Sequence, residues 1–132
     1  MKMVLLSILA SLFLSCNEPQ QDLAKVKQLT PNEFKKQKMS SSAVLLDVRT
    51  QEEFAGGYLE GAENVDYRNG DFARELKSWD KDKTYYLYCA SGNRSGKAAE
   101  LMREAGFKHI YNIGGYNTLK QAGLPTEGDT KN

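Results

Sequence analysis

Apolar residues in this chain fall into runs too short for helices, separated by stretches whose apolar positions recur every three or four residues. Val44-Leu45-Leu46-Asp47-Val48 and Tyr85-Tyr86-Leu87-Tyr88 are nearly continuous apolar runs, as expected of strands covered on both faces. His109-Ile110-Tyr111-Asn112-Ile113, broken by Gly114-Gly115, reads as another, and Asn64-Val65-Asp66 as a shorter one. Ala98, Leu101, Met102 and Ala105 share one helical face, with Gly106 as the stop. Thr30-Pro31-Asn32-Glu33 supplies a cap, a first-turn proline and an acid for the capping box, and Thr50 to Glu53 opens a second capped turn with Phe54 directed inward. Asp71 is the expected cap of a helix that buries Phe72, Leu76 and Trp79, and a last helix covers about Tyr116 to Gln121 before Gly123-Leu124-Pro125. Strands alternating with helices predict an α/β fold of three layers, with a parallel sheet of about five strands and helices on both faces. In such sheets the ligand site lies outside the carboxyl ends of the strands, which is where Cys89 falls.

The loop Cys89-Ala90-Ser91-Gly92-Asn93-Arg94-Ser95 joins a predicted strand to a predicted helix. Successive N–H groups in such a loop converge on one point and carry partial positive charge, so a sulfur anion placed there is stabilised. A free cysteine titrates near 8.5, and a helix N-terminus with a nearby arginine lowers that value, which makes Cys89 a nucleophile. Gly92 permits the tight turn, Arg94 offers a planar fork of donors to an oxyanion, and Ser95 is read as the cap of the helix that follows. The rival reading makes Cys89 a small buried hydrophobe at a strand end. That reading leaves the glycine, arginine and serine behind it without a purpose.

The ends of the chain carry a separate message. Lys2 precedes an apolar stretch from Met3 to Leu14 that closes with Ser15 and Cys16, a signal-peptide pattern shorter than the roughly 18 residues of a membrane span. Phe13-Leu14-Ser15-Cys16 resembles a bacterial lipobox, in which the cysteine is acylated and becomes the new N-terminus. The expectation is an exported protein, held by lipid on Cys16 to a cell-envelope membrane and facing the periplasm; a cleaved unlipidated signal and an uncleaved anchor are the alternatives. Residues 1–16 are thus read as the signal, 17–28 as a polar tether, 29–126 as one folded domain and 127–132 as a disordered tail. Removing residues 1–15 takes away Lys2 and leaves 17 Lys+Arg against 17 Asp+Glu, a balance that gives no sign of nucleic-acid binding. With Cys16 acylated, Cys89 has no disulfide partner, and a lone thiol in an oxidising compartment points to reactivity. His109 is the single histidine, so no metal site is expected, and it is read as a partly exposed residue at the start of a strand.

From roughly Leu29 to Pro125 the chain resembles a single-domain rhodanese, and three motifs carry the resemblance. The first runs from Asp47-Val48-Arg49-Thr50-Gln51-Glu52-Glu53-Phe54 on through Gly57-Tyr58-Leu59-Glu60-Gly61-Ala62-Glu63-Asn64-Val65. The second is Tyr88-Cys89-Ala90-Ser91-Gly92-Asn93-Arg94-Ser95. The third is Gly114-Gly115-Tyr116 followed by Ala122-Gly123-Leu124-Pro125. Tyr58 stands where the family usually has histidine, and Leu119 where it often has tryptophan.

The resemblance implies a sulfurtransferase. Cys89 attacks the outer sulfur of a small anionic donor such as thiosulfate and becomes a persulfide, which a thiol or cyanide-like acceptor then discharges. Ala90, Ser91, Gly92, Asn93 and Ser95 hold the sulfur, Arg94 holds the donor, and neither cofactor nor metal takes part. Asp47 and Arg49 are assigned to ordering the sheet end by ion pairing, with Glu52 or Glu53 as further partners. Two rivals remain: a phosphatase of the related fold, whose loop encloses one residue more than the four between Cys89 and Arg94, and a non-catalytic binding module. A monomer is the default expectation.

Overall fold

The computed structural model describes residues 23–128. The signal stretch, Cys16, the first part of the tether and the last four residues of the tail lie outside the described residues. The strands are β1 (Val26–Gln28), β2 (Val44–Asp47), β3 (Tyr58–Leu59), β4 (Glu63–Asn64), β5 (Thr84–Cys89), β6 (His109–Gly115) and β7 (Thr126–Glu127). The helices are α1 (Pro31–Lys36), α2 (Gln51–Ala55), α3 (Asp71–Glu75) with a 3-10 turn over Leu76–Ser78, α4 (Asn93–Glu104) and α5 (Tyr116–Gln121). Five strands form one parallel sheet in the order β1-β6-β5-β2-β4, while β3 and β7 pair antiparallel beside it. This is the α/β architecture that the apolar pattern predicts.

Alternation along β5 divides the core into two layers. Tyr85, Leu87 and Cys89 face α3 and α4, where Phe72, Leu76, Ala98, Ala99 and Met102 close over them. Tyr86 and Tyr88 face the other side with Phe34 of α1 and Leu119 of α5. Cys89 is thereby placed at the carboxyl end of a central strand, on the α4 side. The chain leaves β5 toward β6 and leaves β2 toward β4, so the helices that follow diverge and open a crevice above the β2–β5 pair.

Several local expectations are corrected. Val26–Gln28, read as tether, is an edge strand, because a strand with one neighbour needs no apolar run. Glu127, read as tail, pairs with Tyr58 in the β3–β7 ribbon. Gly70, with φ of 88°, caps α3 in place of Asp71, whose carboxylate turns to Asn69 and Arg74. Phe54 is half-buried and stacks on Tyr58 at 3.9 Å, outside the core. His109 begins β6 as its position predicts, and its side chain is exposed where partial exposure was expected.

A buried ion pair orders the end of β2. Asp47 is fully buried and Arg49 nearly so; Arg49 Nε lies 3.0 Å from both carboxylate oxygens of Asp47, and Nη2 lies 2.7 Å from Oδ2. The same Nη2 donates to the Gly57 carbonyl at 2.6 Å, and the guanidinium sits 4.3 Å from the Tyr116 ring centre. One arginine thus joins β2, the loop after α2, and α5. Its partner is Asp47 itself; Glu52 and Glu53 form no ion pair with it. Removing one member of such a pair leaves an uncompensated buried charge. Arg49→Met is expected to lose about 3–5 kcal/mol in urea unfolding, and Asp47→Asn combined with it to recover part of that loss; a loss below about 1 kcal/mol for the single change would show the pair to be dispensable.

Candidate active site

The Cys89 sulfur lies under the amino end of α4. Gly92 N–H donates to Sγ at 3.0 Å, and Ser95 Oγ lies 3.4 Å from it. Burial pushes the thiol up, and hydrogen bonds from the Ser95 hydroxyl and the Ser95, Ser91 and Gly92 N–H groups outweigh that, so Cys89 ionises below its ordinary value. The turn that delivers these donors depends on glycine at two places. Gly92 has φ of 93°, a region that side chains rarely adopt. At Gly115, opposite Cys89 in the sheet, a Cβ would sit 2.6 Å from the Ala90 carbonyl oxygen, so the loop rests on bare backbone.

Ser95 does not cap α4. Gly92 occupies the cap position, and Ser95 is fully buried one turn further in, with its hydroxyl 2.8 Å from Asn112 Oδ1. Asn112 sits on β6 and is a candidate site residue that the sequence reading missed. Its Nδ2 donates to the Gly92 carbonyl at 3.1 Å, and its Oδ1 also accepts from Gly114 N–H at 3.2 Å, across the irregularity where β6 slips against β5. Two of the residues that donate to the sulfur, Gly92 and Ser95, are therefore held by opposite ends of one buried amide. The Ser95 hydroxyl has one proton and two acceptors. When the sulfur is an anion the hydroxyl turns to it, and Oδ1 keeps Gly114 N–H, so the exchange orphans no buried group. A polar residue inside an apolar strand run was the available signal.

Arg94 is half-buried, and its fork is already filled. Nη1 and Nη2 lie 2.7 and 2.9 Å from the two oxygens of Glu53, which completes the α2 capping box with Thr50 at the same time. The Arg94 bond is the largest influence holding Glu53 down to about 2, so the pair stays charged at any working pH. Glu53 is the second missed residue. Its capping-box spacing was legible, but its reach across the crevice to a helix 41 positions away was not. Ala90, Ser91 and Asn93 stand exposed on the rim with Arg94, and they line a cavity of about 400 Å³ that also takes in Tyr67, Arg68 and Lys97.

A thiol prepared for ionisation in this position, in this topology, agrees with comparisons to known proteins. Residues 30–122 match the family model described as a rhodanese-like domain, and the chain belongs to that family. It is 32% identical over 80 residues to the thiosulfate sulfurtransferase PspE of Escherichia coli, covering 61% of this chain and 74% of that one. It is 29% identical over 105 residues to the thiosulfate sulfurtransferase GlpE of Pseudomonas putida, covering 80% and 94%. The crystal structure of a rhodanese-like domain protein from Staphylococcus aureus superposes with a TM-score of 0.63 at 33% identity, covering 75% of this chain and 96% of that one.

Asn112→Leu and Ser95→Ala each remove support for the sulfur anion, so each is expected to move the pH midpoint of Cys89 alkylation upward and to slow the reaction at neutral pH. If the two act as one unit, the double variant shifts no further than the larger single one. A midpoint that stays in place while thermal stability falls would reduce Asn112 to a packing role.

Proposed function

We propose that this protein is a sulfurtransferase that carries a sulfane sulfur on Cys89 between an anionic donor such as thiosulfate and a thiophilic acceptor. The supporting observation is the Cys89 thiol at the carboxyl end of β5, beneath the Gly92 N–H and the Ser95 hydroxyl at 3.0 and 3.4 Å. The Cys89 thiolate attacks the outer sulfur of the donor. A bond forms between the two sulfurs, the donor's own S–S bond breaks, and its electron pair leaves with sulfite when thiosulfate is the donor. An acceptor thiolate or cyanide then attacks the outer sulfur of the persulfide, and Cys89 leaves as the thiolate. Electrons balance without an outside oxidant, and the two half-reactions give ping-pong kinetics. The N–H groups of the loop stabilise the sulfur anion at both stages. The family membership and the two sulfurtransferase relatives favour this reading over the phosphatase and the binding module. Attachment to a cell-envelope membrane through lipid on Cys16 is part of the proposal and rests on the lipobox-like sequence alone.

Incubating the protein with thiosulfate and weighing it intact is expected to show the mass of one added sulfur, absent from Cys89→Ser and discharged by cyanide. Hydrolysis of an aryl phosphate that disappears in Cys89→Ser would overturn this in favour of a phosphatase. A Cys89 that alkylates no faster than a free thiol at neutral pH would favour the binding module.

A further inference from the structure

Arg94 is the residue that sequence reasoning assigns to the donor anion, yet both of its terminal nitrogens are occupied by Glu53. A bidentate ion pair has little net charge to offer a second anion. The positive charge at the mouth of the site must come from elsewhere, and two side chains supply it. Arg68, from the loop after β4, and Lys97, one turn into α4, line the same cavity of about 400 Å³ as Ala90, Ser91, Asn93 and Arg94, which follow Cys89 in the chain. Arg49, Arg74, Arg94, Arg103 and Lys108 are engaged in ion pairs, whereas Arg68 and Lys97 have none among the described residues. The nearest acid in sequence, Asp66, turns Oδ1 to the Arg68 and Asn69 N–H groups at 2.7 and 3.3 Å. This places two cations without ion pairs beside the loop that follows Cys89.

We propose that Arg68 and Lys97 form the anion subsite that holds the negatively charged trailing end of the sulfur donor, a sulfonate or carboxylate, while its outer sulfur meets Cys89. Arg94 then serves as a positioning residue that ties α4 to α2 through Glu53. The Ser91 hydroxyl and the Asn93 amide on the rim add polar partners, and Tyr67 supplies an aromatic wall. The cavity falls in the size range of small-molecule sites, which leaves room for an organic tail behind the charged group. This assignment rests on the sulfurtransferase reading, but its charge preference can be measured without sulfur transfer.

The test pairs two alkylating agents of nearly equal size, anionic iodoacetate and neutral iodoacetamide, with the Cys89 peptide followed by mass. In Arg68→Gln/Lys97→Gln the iodoacetate-to-iodoacetamide rate ratio is expected to fall about ten-fold, as the loss of a charged hydrogen bond implies. The thiosulfate concentration giving half-maximal persulfide formation is expected to rise by a similar factor, and by more than the maximal rate falls. Raising the salt should lower the wild-type ratio and leave that of the variant nearly flat. An unchanged ratio in the variant, or an unchanged half-saturating thiosulfate concentration, would overturn the subsite. A wild-type protein that shows the iodoacetate preference but takes no sulfur from thiosulfate would uphold the anion subsite and count against the sulfurtransferase reading alone.

Discussion

The site depends on a backbone contact: the loop after Cys89 lies directly on β6, with no side chain between them. A Cβ on Gly115 would meet the Ala90 carbonyl at 2.6 Å, and one on Gly92 would come within 3.3 Å of Gly114. Because the two main chains touch, the N–H groups around the sulfur cannot drift apart, and their partial charges act at short range. Asn112 adds specificity to that contact by joining Gly92 O, Ser95 Oγ and Gly114 N through one amide. A buried amide paired at both its oxygen and its nitrogen favours a single arrangement, since flipping it would strand polar groups away from water.

Two acid–arginine pairs organise the crevice above this contact, and they differ in kind. Asp47 and Arg49 are both buried and separated only by Val48, and they set the end of β2 against Gly57 and Tyr116. Glu53 and Arg94 are partly open to solvent and lie on helices that follow different strands. The first pair belongs to the frame; the second spans the gap between α2 and α4 and sets how far apart they stand. An arginine inside the active-site loop can therefore be structural.

Legibility in the sequence followed the range of the interactions. The inner strands, the Thr30 and Thr50 caps and the strand–loop–helix around Cys89 are local, and the apolar pattern and capping residues exposed them. The thiol's position at a carboxyl strand end followed from fold class. What stayed hidden was set by distant partners. β1 is a strand because β6 offers a free edge, not because Val26-Lys27-Gln28 has a strand-like pattern. Asp71 and Ser95 look like caps, yet a glycine in the left-handed region precedes each helix and takes that place. Glu53 was legible as a capping-box acid and was offered to Arg49, while nothing local pointed to Arg94, and Asn112 was passed over inside an apolar run.

The sulfur of Cys89 has no exposed surface at all. In the proposed reaction a persulfide would grow from a sulfur enclosed by the fold, so only its outer atom could come within reach of bulk water and dissolved reductants. Sulfane sulfur is easily lost to any stray thiol in solution. For the proposed sulfur carrier, the fold around Cys89 would set the lifetime of the carried atom, and selectivity among acceptors would become a matter of access before one of reactivity.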